Sequence, residues 1–347
     1  MAKKRTCGDC KFHLKRGACP KAEYKKYEDN LVACLPTDPV CPLFQPKSRE
    51  PKPIYRDSGF ADQGYFEAIY NNEKPCFLVS NDKHFSLHET VTFNGKTFIP
   101  KDTKRIPYNP YGYFEGKIPN REDLYWKVRR EFQIFIDLEP IWYDVLASSA
   151  LLSYQQEKLQ TVPYLFVYGD NESGKSTVLQ LLKSLCYRPM YGVTVPGADI
   201  YGYLEDVNSI GCIMEDEIQG IDKDVDKIKI YKAGYKKGAC VPRTIITQHD
   251  RIIKYYNTFC FKAVASEKIP TVKGFRERFI EISMIEGYPE KEWADITEED
   301  LARLAELRNT LLKWRMLSRD WELPNPEVSM RGRLKEIWKP LLQIGVV

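Results

Sequence analysis

The stretch Tyr164 to Leu182, YLFVYGDNESGKSTVLQLL, constrains this chain more than any other. Tyr164 to Tyr168 are bulky and apolar enough for a buried strand, Gly169 to Lys175 form a tight loop, and Ser176 to Leu182 open a helix. The loop fits the pattern G-x-x-x-x-G-K-[ST] from Gly169 to Ser176. Its glycines let backbone N–H groups turn inward around phosphate oxygens, and its lysine neutralises terminal phosphates. A hydroxyl at the helix N-terminus, where the helix dipole favours an anion, serves a magnesium ion. The candidate nucleotide-binding residues are therefore Gly169, Asp170, Asn171, Glu172, Ser173, Gly174, Lys175, Ser176 and Thr177. A chance match in a surface loop would lack the strand before it and the Val178, Leu181, Leu182, Leu185 stripe after it.

A hydrolytic site needs a second strand that carries carboxylates. The segment SIGCIMEDEIQG offers one, with Ile210 to Met214 as the strand and acidic residues at its end. Asp216 suits the magnesium shell together with Ser176, and Glu217 suits activation of the attacking water. Glu215 leaves the register open, because Glu215 and Asp216 could fill the same two roles. Asp216 follows Lys175 by 41 positions, room for one helix, one strand and a return, whereas an isolated acidic turn would simply be solvated.

At 347 residues the chain exceeds one ordinary core, so several modules are expected. Residues 1–46 form a cysteine-rich head, and 47–58, rich in proline and charge, read as a linker. Residues 59–120 alternate short apolar runs with turn signals, Asn94-Gly95 in TFNGKTF marking a hairpin, and predict a small β-rich domain. From Arg121 the period becomes helical, with Leu124, Val128, Phe132 and Phe135, then Ile141, Val145, Leu146, Leu151 and Leu152. Strand and helix alternate to about residue 287, which predicts a three-layer α/β core over 121–287. Residues 288–347 predict a helical segment that opens with a Thr297 to Asp300 capping box. Its apolar end, RLKEIWKPLLQIGVV, reads equally as a docking tail and as a chain cut short of its natural end.

The blocks that follow the acidic pair, KAGYKKGACVPRT, YYNTFCFKAVASEKIP, GFRERFIEISM and RLKEIWKPLLQI, resemble successive segments of P-loop ATPases carried by plasmids, phages and archaeal mobile elements. Those proteins are relatives of the AAA+ and superfamily 3 helicases and are often fused to primase-type domains. The resemblance runs from about Leu138 to the C-terminus. It implies ATP as the nucleotide, magnesium as its ion, remodelling of or translocation on DNA, and a homo-oligomeric ring, a hexamer first among the choices. It also implies a polar sensor of the terminal phosphate at Ser266, where such proteins usually carry Asn or Thr; Glu267 and Gln248 are alternatives. An arginine that reaches the neighbouring subunit's nucleotide falls on Arg278, with Arg276 as runner-up. Basic and aromatic residues interleave in KIKIYKAGYKKGACVPR, so Lys232, Tyr235, Lys236, Lys237 and Arg243 are candidates for contact with single-stranded or forked DNA, although most lysine runs are only solvated faces. The segments QHDR and IIKYYNTF suggest a hairpin that points into the ring pore.

Five of the ten cysteines fall in the first 41 residues. In a reducing compartment such a cluster favours a metal over disulfides. Zinc needs four soft ligands, and Cys7 and Cys10, two residues apart, can face one ion. The pattern CGDCKF…CP…DPVCPLF resembles small zinc-binding heads of archaeal and phage proteins, which implies Cys7, Cys10, Cys19 and Cys41 as ligands. Cys34 is then spare or a replacement for Cys19 or Cys41, and His13 is an alternative. A head this short needs such a staple to fold. Residues 1–30 hold nine basic against four acidic side chains, which suits docking on nucleic acid or on a replication partner protein. His84 and His88 in HFSLH lack a neighbouring Glu or Cys and read as chance, and Cys76, Cys186, Cys212, Cys240 and Cys260 read as core residues.

No window nears the ~18 consecutive apolar residues of a membrane span, and the start lacks a signal peptide's apolar stretch, so a cytoplasmic location without membrane contact is expected. The leading expectation is an ATP-hydrolysing DNA helicase or translocase of a mobile genetic element, acting in replication. The competing one is an ATP-dependent switch or loader that binds partner proteins through its zinc head without unwinding DNA. A primase is weaker, because residues 59–119 show no convincing carboxylate cluster.

Overall fold

Buried strands flanked by helices put the phosphate loop at one end of a five-stranded parallel sheet. The computed structural model describes residues 54–345 except 72, 82–83, 102–107, 109–117, 219, 247–250 and 273, together with the backbone of strands β1 (Lys25–Tyr27) and β2 (Asn30–Val32). Compact packing separates 1–53 from 54–347. β1 and β2 pair antiparallel. The proposed zinc ligands Cys7, Cys10, Cys19 and Cys41, with Cys34 and His13, lie outside the described residues.

The second unit opens with β3 (Ile54–Tyr55), β4 (Ser58–Ala61), β5 (Gly64–Asn71), β6 (Lys74–Asn81), β7 (His84–His88), β8 (Val91–Phe93) and β9 (Lys96–Ile99). β4 to β7 form an antiparallel sheet in sequence order, and β3, β9 and β8 form a mixed one, β9 pairing parallel with β3 and antiparallel with β8. Asn94 and Gly95, both at positive φ (49° and 70°), turn the β8–β9 hairpin. Side chains alternate across β5, so Phe66 and Ala68 pack with Phe77, Val79, Val91 and Phe98 in a small core. The opposite face, Tyr65 and Ile69, joins the main core of the helices and the parallel sheet. The β-rich residues are thus welded to the α/β core rather than set apart from it.

Helix α1 (Arg121–Phe135) starts where the Asn120 side chain accepts from the Glu122 amide, with Glu122 and Asp123 facing the helix dipole. Helix α2 (Pro140–Ser153) starts on Pro140, whose missing N–H is harmless in a first turn. Of the apolar residues expected inside, Ile141 alone turns to solvent. The α/β core then runs β10 (Tyr164–Gly169), α3 (Lys175–Leu185), β11 (Pro189–Val193), α4 (Gly197–Asp206), β12 (Cys212–Asp216), α5 (Val225–Ala233), a hairpin of β13 (Cys240–Ile246) and β14 (Arg251–Asn257), β15 (Phe261–Ser266) and β16 (Phe279–Met284). The parallel sheet has the order β11-β12-β15-β10-β16. Tyr164 to Val167 are all buried, as suits a parallel strand covered on both faces. Helix α6 (Glu298–Leu317) begins with the reciprocal Thr297–Asp300 capping box. Helix α7 (Gly332–Ile344) buries Ile337, Leu341 and Ile344 against the main core.

Among the described residues no helix is long and apolar enough to cross a membrane. Cys76, Cys186, Cys212 and Cys260 are buried, but Cys240, expected inside, is exposed because it begins the projecting hairpin. His84 and His88 stand four apart on a strand, roughly 13 Å along its axis, too far to share an ion. Among the described residues no cluster of three His, Cys, Asp or Glu side chains suits a metal.

Candidate nucleotide site

Parallel strands deliver their C-terminal ends to one edge of a sheet, and here three of those ends converge. β15 lies between β10 and β12, so Ser266 sits beside Tyr168 in register while Glu215 pairs with Val264. The loop after β10, the acidic end of β12 and the end of β15 therefore share one cleft of about 300 Å³, lined by Asn171 to Thr177, Asp216, Glu217, Ser266 and Glu267.

The loop needs its glycines. A side-chain carbon at Gly169 would collide with the Met284 carbonyl and stand 2.9 Å from Ser173 Oγ. Gly174 caps α3 at φ +86°, a left-handed conformation that glycine adopts without strain. Lys175 Nζ donates to the carbonyls of Gly169 (2.9 Å) and Asp170, folding its ammonium over the loop. Ser173 Oγ is buried without a hydrogen-bond partner. An orphaned hydroxyl inside this glycine-bounded loop fits an anionic ligand that would satisfy it. Ser176 is exposed at the start of α3 and opens on the same cleft.

The three acidic residues at the end of β12 part company. Glu215 is fully buried and turns away from the cleft, pairing with Lys227 Nζ and accepting from Tyr231 OH at 3.2 Å. Burial pushes its carboxyl above the ordinary value, and Lys227 and Tyr231 pull against that. Asp216 is 8 % exposed, accepts from Tyr191 OH at 3.3 Å and lines the cleft. Glu217 is exposed there, on a backbone at φ +52°. Asp216 and Glu217 thus face the phosphate loop and Glu215 does not. Ser266 is buried, its Oγ accepting weakly from the Lys268 amide at 3.4 Å. Glu267 is exposed on the cleft wall, and Gln248 lies outside the described residues.

A second cavity, about 400 Å³, shares Glu172, Ser173, Gly174 and Thr177 with the first. Its far walls are Phe135 to Asp137 at the end of α1 and Met284 to Ala294 after β16, including Trp293. Asp137 Oδ2 accepts from the Tyr288 amide at 3.0 Å, which fastens those walls together. No single motif in the sequence foretold this cavity, since its walls come from two segments distant along the chain.

Arg278 stands at the opposite end of the sheet. Phe279 pairs with Tyr164, whereas Gly169 pairs with Met284, so Arg278, one residue before Phe279, is roughly 20 Å along the strands from its own phosphate loop. Its Nε donates to the Lys232 carbonyl at 3.0 Å and its guanidinium lies 4.8 Å from the Tyr235 ring centre. Burial, and then Arg333 beside it, lower its pKa. Arg276 is exposed and pairs with Glu281 through two hydrogen bonds.

Tyr235, expected to stack on a base, is 8 % exposed and held between Arg278 and Arg333. Its ring is occupied by cations and not presented to a ligand. Lys232 is half-buried, while Lys236 and Lys237 are exposed, Lys237 Nζ donating to the Glu157 carbonyl at 2.7 Å. Arg243 lies on the hairpin, its guanidinium 4.5 Å from the Tyr201 ring centre and 3.8 Å from Asp226. The same hairpin carries Arg251, Lys254 and a 68 % exposed Tyr255, which the interleaving pattern upstream did not single out.

No protein-family model and no curated protein sequence matches the chain. Among solved structures it is similar to the apo NrS-1 C-terminal region (14 % identity, 72 % of this chain and 66 % of that chain, TM-score 0.36). It is also similar to the SCCmec type IV Cch active helicase (16 %, 70 % and 45 %, TM-score 0.33) and to a full-length MCM homolog from Methanopyrus kandleri (12 %, 79 % and 60 %, TM-score 0.37). In all three the aligned part spans less than two thirds of the matched chain. Superposition below a TM-score of 0.5 carries no functional inference, so the chain's own geometry has to.

Proposed function

We propose that the chain is an ATP-hydrolysing motor, a DNA helicase or translocase of a mobile genetic element that works in replication as a homo-oligomeric ring, most simply a hexamer. One observation carries the reading: Lys175, Ser176, Asp216, Glu217 and Ser266 line a single cleft at the ends of three adjacent parallel strands. Phosphates lie along the loop amides and Ser173 Oγ, and the nucleoside enters the adjoining cavity between α1 and the segment after β16. Ser176 and Asp216 would hold magnesium, which supplies charge neutralisation at the phosphate oxygens. Lys175 leaves its own loop carbonyls for the terminal phosphate, Glu217 takes the proton of the attacking water, and Ser266 orients that water or the phosphate it attacks.

Because Arg278 is remote from its own loop, its catalytic use is in a neighbouring subunit, where it stabilises charge in the transition state. The hairpin of β13 and β14, with Arg243, Arg251, Lys254 and Tyr255, and the exposed Lys236 and Lys237, supply phosphate contact and base stacking on single-stranded or forked DNA. The cysteine head, with zinc on Cys7, Cys10, Cys19 and Cys41, is the module for DNA or a partner protein. The test is ATP hydrolysis with and without single-stranded DNA, in the wild type and Lys175→Ala. Lys175-dependent hydrolysis stimulated by DNA is expected; hydrolysis indifferent to DNA, with no affinity for nucleic acid, overturns the DNA assignment. The engaged states of Lys175 and Arg278 favour slow turnover by isolated subunits, and also a second reading, an ATP-dependent switch or loader, identified by tight ATP binding with slow, DNA-independent hydrolysis.

A further inference from the structure

Helix α5 touches three parts of the proposed motor at once. Its Lys227, 5 % exposed, pairs with the fully buried Glu215 on β12, and its Tyr231 donates to the same carboxylate. At its C-terminal turn the Lys232 carbonyl accepts from Arg278, and near its start Asp226 faces Arg243 of the hairpin. The helix is itself capped by Asp224, whose carboxylate accepts from the Lys227 amide at 2.9 Å.

The place where Lys227 acts is specific. Glu215 is the last residue of β12 to pair with β15; beyond it Asp216 is paired only on the β11 side, with Val193. Glu217 then takes a positive φ, which a non-glycine residue holds only when its surroundings enforce it. The strand end that carries both cleft carboxylates therefore leaves the β15 ladder at Glu215 and meets β15 again only where the Ile218 amide donates to the Ala265 carbonyl at 3.0 Å, with the strained Glu217 backbone between. An apolar pair of similar volume would pack this interior without the desolvation penalty of a buried ion pair, so the pair is better explained by position than by stability. We propose that Lys227 is a positioning residue: by clamping Glu215 to α5 it fixes the end of β12 from which Asp216 and Glu217 face the phosphate loop. The inference rests on the ATPase reading for its catalytic consequence and on geometry alone for the clamp.

The experiment compares Lys227→Met, Glu215→Gln and the double variant in the full chain, reading amide exchange and ATP kinetics. Each single variant raises exchange at residues 216–218 about tenfold and leaves residues 178–182 unchanged. Each lowers kcat about 10- to 100-fold with KM for ATP unchanged, because a small displacement of the carboxylates spoils attack and leaves the loop intact. The double variant lacks the same clamp, so it exchanges and turns over like the single variants and not with the product of their effects; a double variant restored to wild type would assign the single-variant effects to stranded charge and overturn the proposal. Single variants that melt earlier, yet keep wild-type exchange at 216–218 and wild-type kcat in the folded fraction, overturn the proposal. Should Lys227→Met not fold, Glu215→Gln carries both readouts. A wild-type chain without Lys175-dependent hydrolysis removes the ATPase reading and leaves the exchange data to decide the clamp.

Discussion

Two charged regions of this molecule are built from similar side chains and finished in opposite ways. Around Glu67, on the face of β5 that meets the main core, the buried charges face opposite charges, although one nitrogen of Arg188, Nη1, has no hydrogen bond. Glu67 takes Arg188 Nη2 at 2.6 Å and Arg315 Nε at 2.9 Å, with Tyr65 and Tyr187 donating to the same carboxylate. Arg315 also reaches Glu157 at 2.7 Å. In the cleft, Ser173 Oγ has no partner, Lys175 leans on its own loop carbonyls, and Asp216 and Glu217 face open space. Charges paired against one another in the interior tie segments together; polar groups that line an open cleft are available to a ligand.

The sharpest way to break the contrast is Glu67→Ala. It strands the buried Arg188 guanidinium and leaves Arg315 with Glu157 as its carboxylate, and losing one partner of a buried pair destabilises by about 3–5 kcal/mol. Urea unfolding should show a midpoint shift of that size; a change under about 1 kcal/mol would mean that the cluster is not the weld between β5, α6 and the start of β11. Lys175→Ala is the counterpart in the cleft. Hydrolysis should fall about 10²- to 10³-fold, as when a transition-state donor is removed, while the unfolding midpoint stays put. If Lys175→Ala destabilised as much as Glu67→Ala, the two regions would not differ in kind.

Acid titration sharpens the comparison next. Burial alone would push the Glu67 carboxyl up, but Arg188 and Arg315 outweigh it and hold it below its ordinary value of 4.5. A folded pKa below the unfolded one adds stability that is complete above pH 4.5 and is lost as pH falls through the lowered value. Urea midpoints measured from pH 7 downward should therefore drop more steeply below pH 4.5 in the wild type than in Glu67→Gln, which has no proton to take up. Parallel curves would assign the acid sensitivity elsewhere.

How much of this was legible depends on how local the cause is. The strand, loop and helix around Gly169 to Ser176 announce themselves because glycine geometry, a buried run and a helical stripe all lie within twenty-odd neighbouring residues. The Asn94-Gly95 hairpin and the Thr297 cap are equally local. Glu67 carried a signal of another kind, a lone acid inside the apolar run YFEAIY, where a strand buried on both faces must supply a counter-charge; Glu215 is the first of three consecutive acids, so its burial had no such mark. The partners Arg188, Arg315 and Lys227 lie beyond any window that periodicity can read. Tyr235 misled for the same reason: KAGYKKGA looks like a basic aromatic surface, but Arg333 on the distant helix α7 covers the ring. The second cavity, assembled from the end of α1 and the turn after β16, had no local signature at all.

The smallest expected effect separates the two arginines before β16. Arg276 is solvent-exposed and its bond to Glu281 is a surface ion pair, a class that contributes little because solvent screens it and two long side chains must be held still. Arg276→Ala should leave the unfolding midpoint and the ATPase rate within error of wild type. On the proposed use of Arg278 in a neighbouring subunit, Arg278→Ala should leave ATP affinity alone but remove the part of the turnover that rises with protein concentration. Mixing Arg278→Ala with Lys175→Ala makes the distinction strict: each mixed interface that joins an intact Arg278 to an intact Lys175 regains activity that neither variant has alone. If the mixture stays as inactive as its components, the transition-state charge is met within one chain, and the distance between Arg278 and its own loop would have to close by a rearrangement of the sheet end itself.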